Sequence, residues 1–302
     1  MTWYALPQAL PRVPVVVRMG NCGVVCDSAD EGDVCTTTRQ QSLSWRLAEF
    51  SLCSNVVFNN SHLAEARFCR DGLLHIPCIV SHGEADALEQ RVREDLIERR
   101  RDGKKEWFGD VYGYEDKGFR WDMKLKLSAE VRTALRVVLA CVQPLLERER
   151  PSWELVELAA MCTMPGEPCQ PVHADTSHIF DAQMVTIFVA LHDVDVAHGP
   201  TRMYPRTHTD SKLHMGHEQA DEAGAVLCTM NRGDCVLMDS RLLHCGTANV
   251  SDRHRYLFYC TWKPPGRRSK GSTSTLLPEY EEKFYLRTWR DWLAEDPHLS
   301  TS

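Results

Sequence analysis

The stretch GDCVLMDSRLLHCGTANVSDRHRYLFYCTW, from Gly233 to Trp262, decides how the chain is read. It holds two apolar runs, 234–238 and 256–262. Both are too short for helices, and their Val, Phe, Tyr and Thr suit the half-buried surface of a strand. Between them lies a polar connection carrying His244, and Arg255 stands at the head of the second run. The same texture recurs at 155–163, 184–192 and 224–228, each bounded by turn residues. Upstream of Pro151 the pattern changes. Ser81-His-Gly-Glu84 has the form of a helix capping box. Leu88, Val92, Leu96 and Ile97 follow at helical spacing, and Arg99-Arg100-Arg101 precede Gly103 as at a helix C-terminus. A second helix starts near Ser128, with Val131, Leu135, Val138, Val142 and Leu145 as its apolar face. Helices first and strands afterwards predict an α+β fold: a double-stranded β-helix (a jelly-roll or cupin-like barrel) buttressed by N-terminal helices.

The 302 residues suffice for one large domain with its own core. Residues 1–40, rich in Pro, Gly and Thr, read as a poorly ordered arm. Residues 41–302 read as a single domain: helical support at about 54–150, a jelly-roll core at about 151–265, and a tail from 266 to 302 with a helix over 278–293. A net charge of -7 disfavours a nucleic-acid partner, and no apolar run reaches the roughly 20 residues of a membrane helix. The 13 cysteines are scattered without paired CxxC spacing, so a zinc ribbon is not expected and free thiols in a reducing compartment are. The expected location is therefore cytoplasmic, although Arg12 and Arg18 without an acid in the first 26 residues leave organellar targeting open. Oligomeric state is not legible.

The chemistry concentrates in Gln170-Pro-Val-His-Ala-Asp175. On a strand, positions i and i+2 share a face, so His173 and Asp175 can converge on one metal ion. His244, just after an apolar strand, is the candidate third ligand. Two histidines and one carboxylate leave three open positions on an octahedral iron(II), enough for a bidentate keto acid and dioxygen. Arg255, eleven residues beyond His244, can pair its planar fork with the far carboxylate of 2-oxoglutarate. Arg253 shares its face by alternation and competes for that role; the spacing from His244 favours Arg255.

Four stretches make the chain resemble the phytanoyl-CoA dioxygenase family of iron(II)/2-oxoglutarate oxygenases. They are the 170–175 motif, Ala190-Leu-His-Asp-Val194 with 198–209 after it, Gly233 to Gly246, and Arg253-His-Arg255-Tyr-Leu-Phe-Tyr. Phe68-Cys-Arg-Asp-Gly-Leu-Leu-His-Ile-Pro77 is similar to the family's opening strand, so the likeness spans about residues 60–265. The resemblance implies Fe2+, 2-oxoglutarate and O2, with a small-molecule C–H bond hydroxylated or otherwise oxidised and succinate and CO2 released. It implies co-substrate contacts from Gln170, from Thr186 and Phe188 on the following strand, and from a lysine ahead of the second helix, Lys124 or Lys126. It also implies departures. Gly246 stands where some members carry a serine, which leaves Thr247 or a water as substitute. Arg206 replaces a turn glycine, and that turn is expected to differ. The intact Asp175 argues for hydroxylation, desaturation or cyclisation over halogenation.

The aromatic stretch from Trp107 to Trp121 reads either as a packed loop or as a lid over substrate, with Tyr114, Arg120 and Trp121 as its candidate contacts. Residues 210–223 are a second lid candidate. His208 is expected to shape its turn, and Asp239 with Arg241 to brace the His244 loop. A metal-dependent hydrolase or isomerase on the same barrel could use the triad but has no need of Arg255, and a non-catalytic binding module needs neither.

Overall fold

The structure, a computed structural model, describes residues 60–111, 119–146, 152–176, 183–209, 224–264 and 275–294, with 47, 49–52 and 57 ahead of them. The expected arm at 1–40, Tyr114 and the 210–223 stretch lie outside the described residues. Helix α1 (Ser61–Asp71) leads into β1 (Leu73–Ile76), then α2 (His82–Asp102), β2 (Phe108–Gly109), β3 (Arg120–Lys124) and α3 (Ala129–Leu146). Strands β4 (Glu154–Thr163), β5 (Val185–Ala190), β6 (Thr201–Met203), β7 (Val226–Leu227), β8 (Cys235–Asp239), β9 (His244–Gly246) and β10 (Arg255–Lys263) follow, and α4 (Trp289–Ala294) comes last. No helix among the described residues is long and apolar enough to cross a membrane.

Local signals place these elements as read. Ser81 Oγ accepts from Glu84 N and Glu84 Oε2 accepts from Ser81 N, closing the capping box of α2, and Gly103 ends it at φ 71°. The strands form two sheets. A seven-stranded sheet runs β1-β8-β5-β10-β4-β3-β2, and a three-stranded sheet runs β7-β6-β9. Every pairing is antiparallel. This is the two-sheet jelly roll with helices on one side.

Period-two alternation sorts the large sheet into two faces. Tyr256, Phe258, Cys260 and Trp262 of β10 and Val185, Ile187 and Val189 of β5 join the helices in the main core. A register shift between Thr261 and Trp262 keeps Leu155 and Leu158 of β4 on that same side. The opposite face, with Arg255, Leu257, Tyr259 and Thr261, turns toward the small sheet.

The end of the chain departs from the expected helix over 278–293. It makes two 3-10 turns, Pro278–Tyr280 and Leu286–Thr288, before α4. Glu282 sits at φ 57°, which a continuing helix forbids. The backbone around it is used elsewhere: Leu155 N donates to Phe284 O at 2.9 Å, and Leu286 N to Trp153 O at 2.7 Å.

Candidate active site

A cavity of about 500 Å3 opens between the two sheets on the face away from the helices. His173, Asp175 and His244 line it, and one ligand atom from each lies within 4.8 Å of the others, close enough to hold one metal ion. Their support is not the continuous strand expected from sequence. His173 makes a single antiparallel bridge with His244, each backbone N–H reaching the other's carbonyl at 2.9 and 2.8 Å. Residues directly opposite in such a pair project to the same side, and the two rings lie 4.5 Å apart. Asp175 follows in an irregular segment that is pinned just beyond it. Thr176 N donates to Ser240 O at 3.1 Å, and the two hydroxyls meet at 2.7 Å.

Both rings are oriented from behind. His173 Nδ1 lies 2.9 Å from Pro171 O, and His244 Nδ1 2.9 Å from Leu242 O. A carbonyl only accepts, so each Nδ1 carries a proton, and each Nε2 is left facing Asp175 as the atom that can bind a metal. Asp175 Oδ1 is 3.9 Å from His173 Nε2 and 3.5 Å from His244 Nε2. Burial holds the His244 ring toward its neutral form and pushes the Asp175 carboxyl up to about 6. Asp239 clamps Arg241 through both oxygens at 2.8 and 2.7 Å, bracing the loop that delivers His244.

At another part of the cavity two arginines meet. Arg255 is 2% exposed, and one of its terminal nitrogens donates to Gly199 O while Nη2 donates to Thr163 Oγ1 at 3.1 Å. Its Nε has no partner. Arg120, also buried, comes from β3, whose register sets it opposite Thr163, the residue that also faces Arg255. Its Nε lies 3.2 Å from the fully buried Glu167. Burial and then the charge of Arg120 push Arg255 down to about 9, with Glu167 opposing. Two guanidiniums line this end of the cavity and the Arg255 Nε has no partner, so it suits an anion such as a carboxylate.

Of the expected contacts, Gln170, Thr186 and Phe188 line the cavity, and Gln170 Oε1 accepts from Gly246 N at 3.0 Å. The lysines do not reach it. Lys126 is exposed with its ammonium 5.3 Å from the Trp107 ring, and Lys124 lies further along β3, past Asp122. Arg120, on the same strand as Lys124, lines the cavity. Trp121 points the other way, with Arg100 stacked 4.4 Å over its ring; alternation along β3 puts it on the face opposite Arg120. Thr247 Oγ1 donates to Pro200 O at 2.7 Å and does not line the cavity. Gly246 has a steric reason instead, since a Cβ there would sit 2.6 Å from Arg120 Nη1. Arg253, the competitor of Arg255, is exposed beside Asp252.

The expected disturbance of the Arg206 turn is corrected. Arg206 itself adopts φ 71°, held by its N–H on Asp71 O at 2.9 Å and its Nε on Asp71 Oδ1 at 3.1 Å. His208 hydrogen-bonds Cys69 O at 3.1 Å and serves this turn. The reading from sequence missed Asp122, Glu157, Glu167 and Tyr259. Glu157 was visible as a lone acid inside an apolar run, a signal that marks a charge meant to be buried.

A family model described as Phytanoyl-CoA dioxygenase (PhyH) matches residues 68–256. Among curated proteins, the chain is 25% identical over 163 residues to "Dioxygenase peniF" of Penicillium patulum, covering 47% of this chain and 49% of that protein. It is 30% identical over 141 residues to "Dioxygenase himG" of Aspergillus japonicus, 42% of each. The chain thus spans about half the length of the curated relatives it matches. Among solved structures, the epimerase SnoN, in complex with Fe3+, alpha ketoglutarate and nogalamycin RO, superposes with a TM-score of 0.57 at 18% identity, over 71% of this chain and 87% of that one. The carbocyclase SnoK from nogalamycin biosynthesis gives 0.55 at 16%, over 72% and 88%. These likenesses show the fold.

Proposed function

We infer the function from a premise that the match establishes: the chain belongs to the phytanoyl-CoA dioxygenase family. It is an iron(II)- and 2-oxoglutarate-dependent dioxygenase that oxidises a C–H bond of a small organic molecule. One observation carries this reading. A single cavity joins a His-Asp-His cluster to two buried arginines, Arg120 and Arg255. Iron(II), 2-oxoglutarate and Asp175 sum to +2, -2 and -1, a net -1. Arg255, buried and with its Nε unpartnered, offers a positive charge to that remainder. Meeting a buried charge with an opposite one avoids the cost of stranding it.

Iron(II) with 2-oxoglutarate and dioxygen supplies the oxidation, with succinate and carbon dioxide as by-products. His173, Asp175 and His244 hold the metal on one side and leave the cavity side open to the co-substrate. Arg255 offers its unpartnered Nε to the far carboxylate, and Arg120 adds its charge beside it. Gly199 O and Thr163 Oγ1 fix the Arg255 plane beforehand, so little side-chain entropy is lost on binding. Gln170 ties the metal motif to Gly246 and so to the floor under Arg120. Asp175 fills the carboxylate position, which favours hydroxylation, desaturation or cyclisation over halogenation.

His173→Ala and Asp175→Ala are each expected to reduce iron-dependent succinate formation to background. Either variant retaining wild-type turnover would remove the triad from its role. A hydrolase or isomerase on this barrel would leave the buried Arg255 and its unpartnered Nε without a purpose.

A further inference from the structure

The cavity has a second polar wall, away from the arginine pair. Glu157 on β4 and Asp122 on β3 both line it. The strand register fixes where they stand. Arg255 faces Thr163 on β4, and six residues along β10 Thr261 faces Glu157. At about 3.3 Å per residue the anion-binding end and Glu157 are roughly 20 Å apart along the sheet. The metal cluster is near enough that the charge of Asp175 acts on both acids.

Neither acid forms an ion pair with a basic side chain among the described residues. Asp122 accepts from Tyr259 Oη and from Thr275 Oγ1, both at 2.6 Å. Glu157 bonds the Thr261 hydroxyl, which meets Thr186 Oγ1 at 3.0 Å. Hydroxyl donors satisfy these carboxyls without supplying a positive charge. Burial, with Asp122 adding to it, pushes Glu157 up to about 8, toward its neutral form. Met161, Met184, Phe188 and Leu257 give the cavity its apolar surface, and Asp110 adds a further acid to its lining in addition to Glu157 and Asp122. Independent features of the same cavity call for ligands: the metal-ligand cluster, and Arg255, almost wholly buried with its Nε unpartnered.

We propose that Glu157, backed by Asp122, receives a protonated amine, so that the substrate is a cationic small molecule with an apolar body. This rests on the oxygenase reading and deepens it. The ammonium group would stand on Glu157 and its carbon skeleton on Phe188, Met161 and Leu257. An anionic substrate would meet two acids on this wall and Asp175 beyond. A neutral alcohol of the same shape would gain a hydrogen bond there without the charge-assisted one, which is about twice as strong.

The test uses the full chain loaded anaerobically with iron(II) and 2-oxoglutarate. Calorimetry follows binding of primary, secondary and tertiary arylalkylamines, each paired with the alcohol of the same skeleton, in wild type and in Glu157→Gln. The expected result is amines bound at least tenfold more tightly than their alcohols in wild type. In Glu157→Gln that preference collapses, while the visible iron(II)–2-oxoglutarate band persists. Amines bound no better than alcohols, or a preference that survives Glu157→Gln, with the band intact, overturns the amine site alone. Absence of the band in wild type overturns the oxygenase reading and this inference together.

Discussion

The two faces of β10 are written in alternate residues of one strand and are opposite in chemistry. Tyr256, Phe258, Cys260 and Trp262 are at most 5% exposed and pack into the helices. Arg255, Leu257, Tyr259 and Thr261 are as deeply buried, yet three of the four carry polar groups, and the first three line the cavity. The first face stabilises the fold by apolar burial. The second costs the fold stability, because guanidinium and hydroxyl groups leave water for partners that only partly replace it. Depth of burial alone therefore does not distinguish scaffold from site. The distinction is whether a buried group's hydrogen-bonding and charge requirements close within the protein or await a ligand. Phe258 needs nothing further; Arg255 has an empty Nε.

Removing one residue from each face should separate these roles. Phe258→Ala is expected to cost about 3–5 kcal/mol of stability by cavity formation, read by chemical unfolding, while the protein that remains folded binds 2-oxoglutarate normally. Arg255→Ala should do the reverse. Losing charged hydrogen bonds worth about 1.5–3 kcal/mol weakens 2-oxoglutarate roughly 10- to 100-fold, with a smaller change in unfolding than Phe258→Ala. Equal loss of stability from both would break the distinction.

A finer contrast lies in pH. Burial raises Glu157 to about 8 and Asp122 to about 6, above their ordinary values of 4.5 and 3.8. Between those values the folded state keeps protons that the unfolded chain has released, so stability falls as pH rises. The ligand-free wild type should thus lose stability from pH 5 to pH 8. Glu157→Gln should flatten that slope, and unfolding curves across the range measure it. An identical slope in both proteins would remove Glu157 as its source. The smallest effect is expected at Arg253. It alternates with Arg255 in sequence but is exposed in the turn before β10, so Arg253→Ala should leave 2-oxoglutarate affinity unchanged in the same binding assay.

That pair of arginines also shows what the sequence could carry. The capping box of α2, the apolar stripe of α3 and the strands β4, β5, β8 and β10 are local patterns, and each was legible. The triad was legible because the chemistry of its residue types is restrictive, even though His173 and Asp175 do not share a strand. What escaped depends on pairing between distant segments. The sequence marks Arg120 as a candidate substrate contact, but its place beside Arg255 comes from β3 pairing with β4 in a register that sets both opposite Thr163. Reading forward from the helix instead pointed to Lys124 and Lys126. Gly246 looked like a missing contact, and only the fold shows Arg120 occupying its space. The terminal segment looked helical because its pairing with the start of β4 through Tyr285 leaves no trace in its own residues.

The central claim is that His173, Asp175 and His244 hold iron(II) while the arginine pair holds 2-oxoglutarate against it. The most direct measurement is an anaerobic titration of the protein with iron(II) and 2-oxoglutarate, followed by the visible charge-transfer absorption of a keto acid chelated to iron(II). The account predicts a band that requires both components, is abolished in His173→Ala, and needs more 2-oxoglutarate to appear in Arg255→Ala. A protein that binds iron(II) and 2-oxoglutarate independently, with no band when both are present, would contradict it.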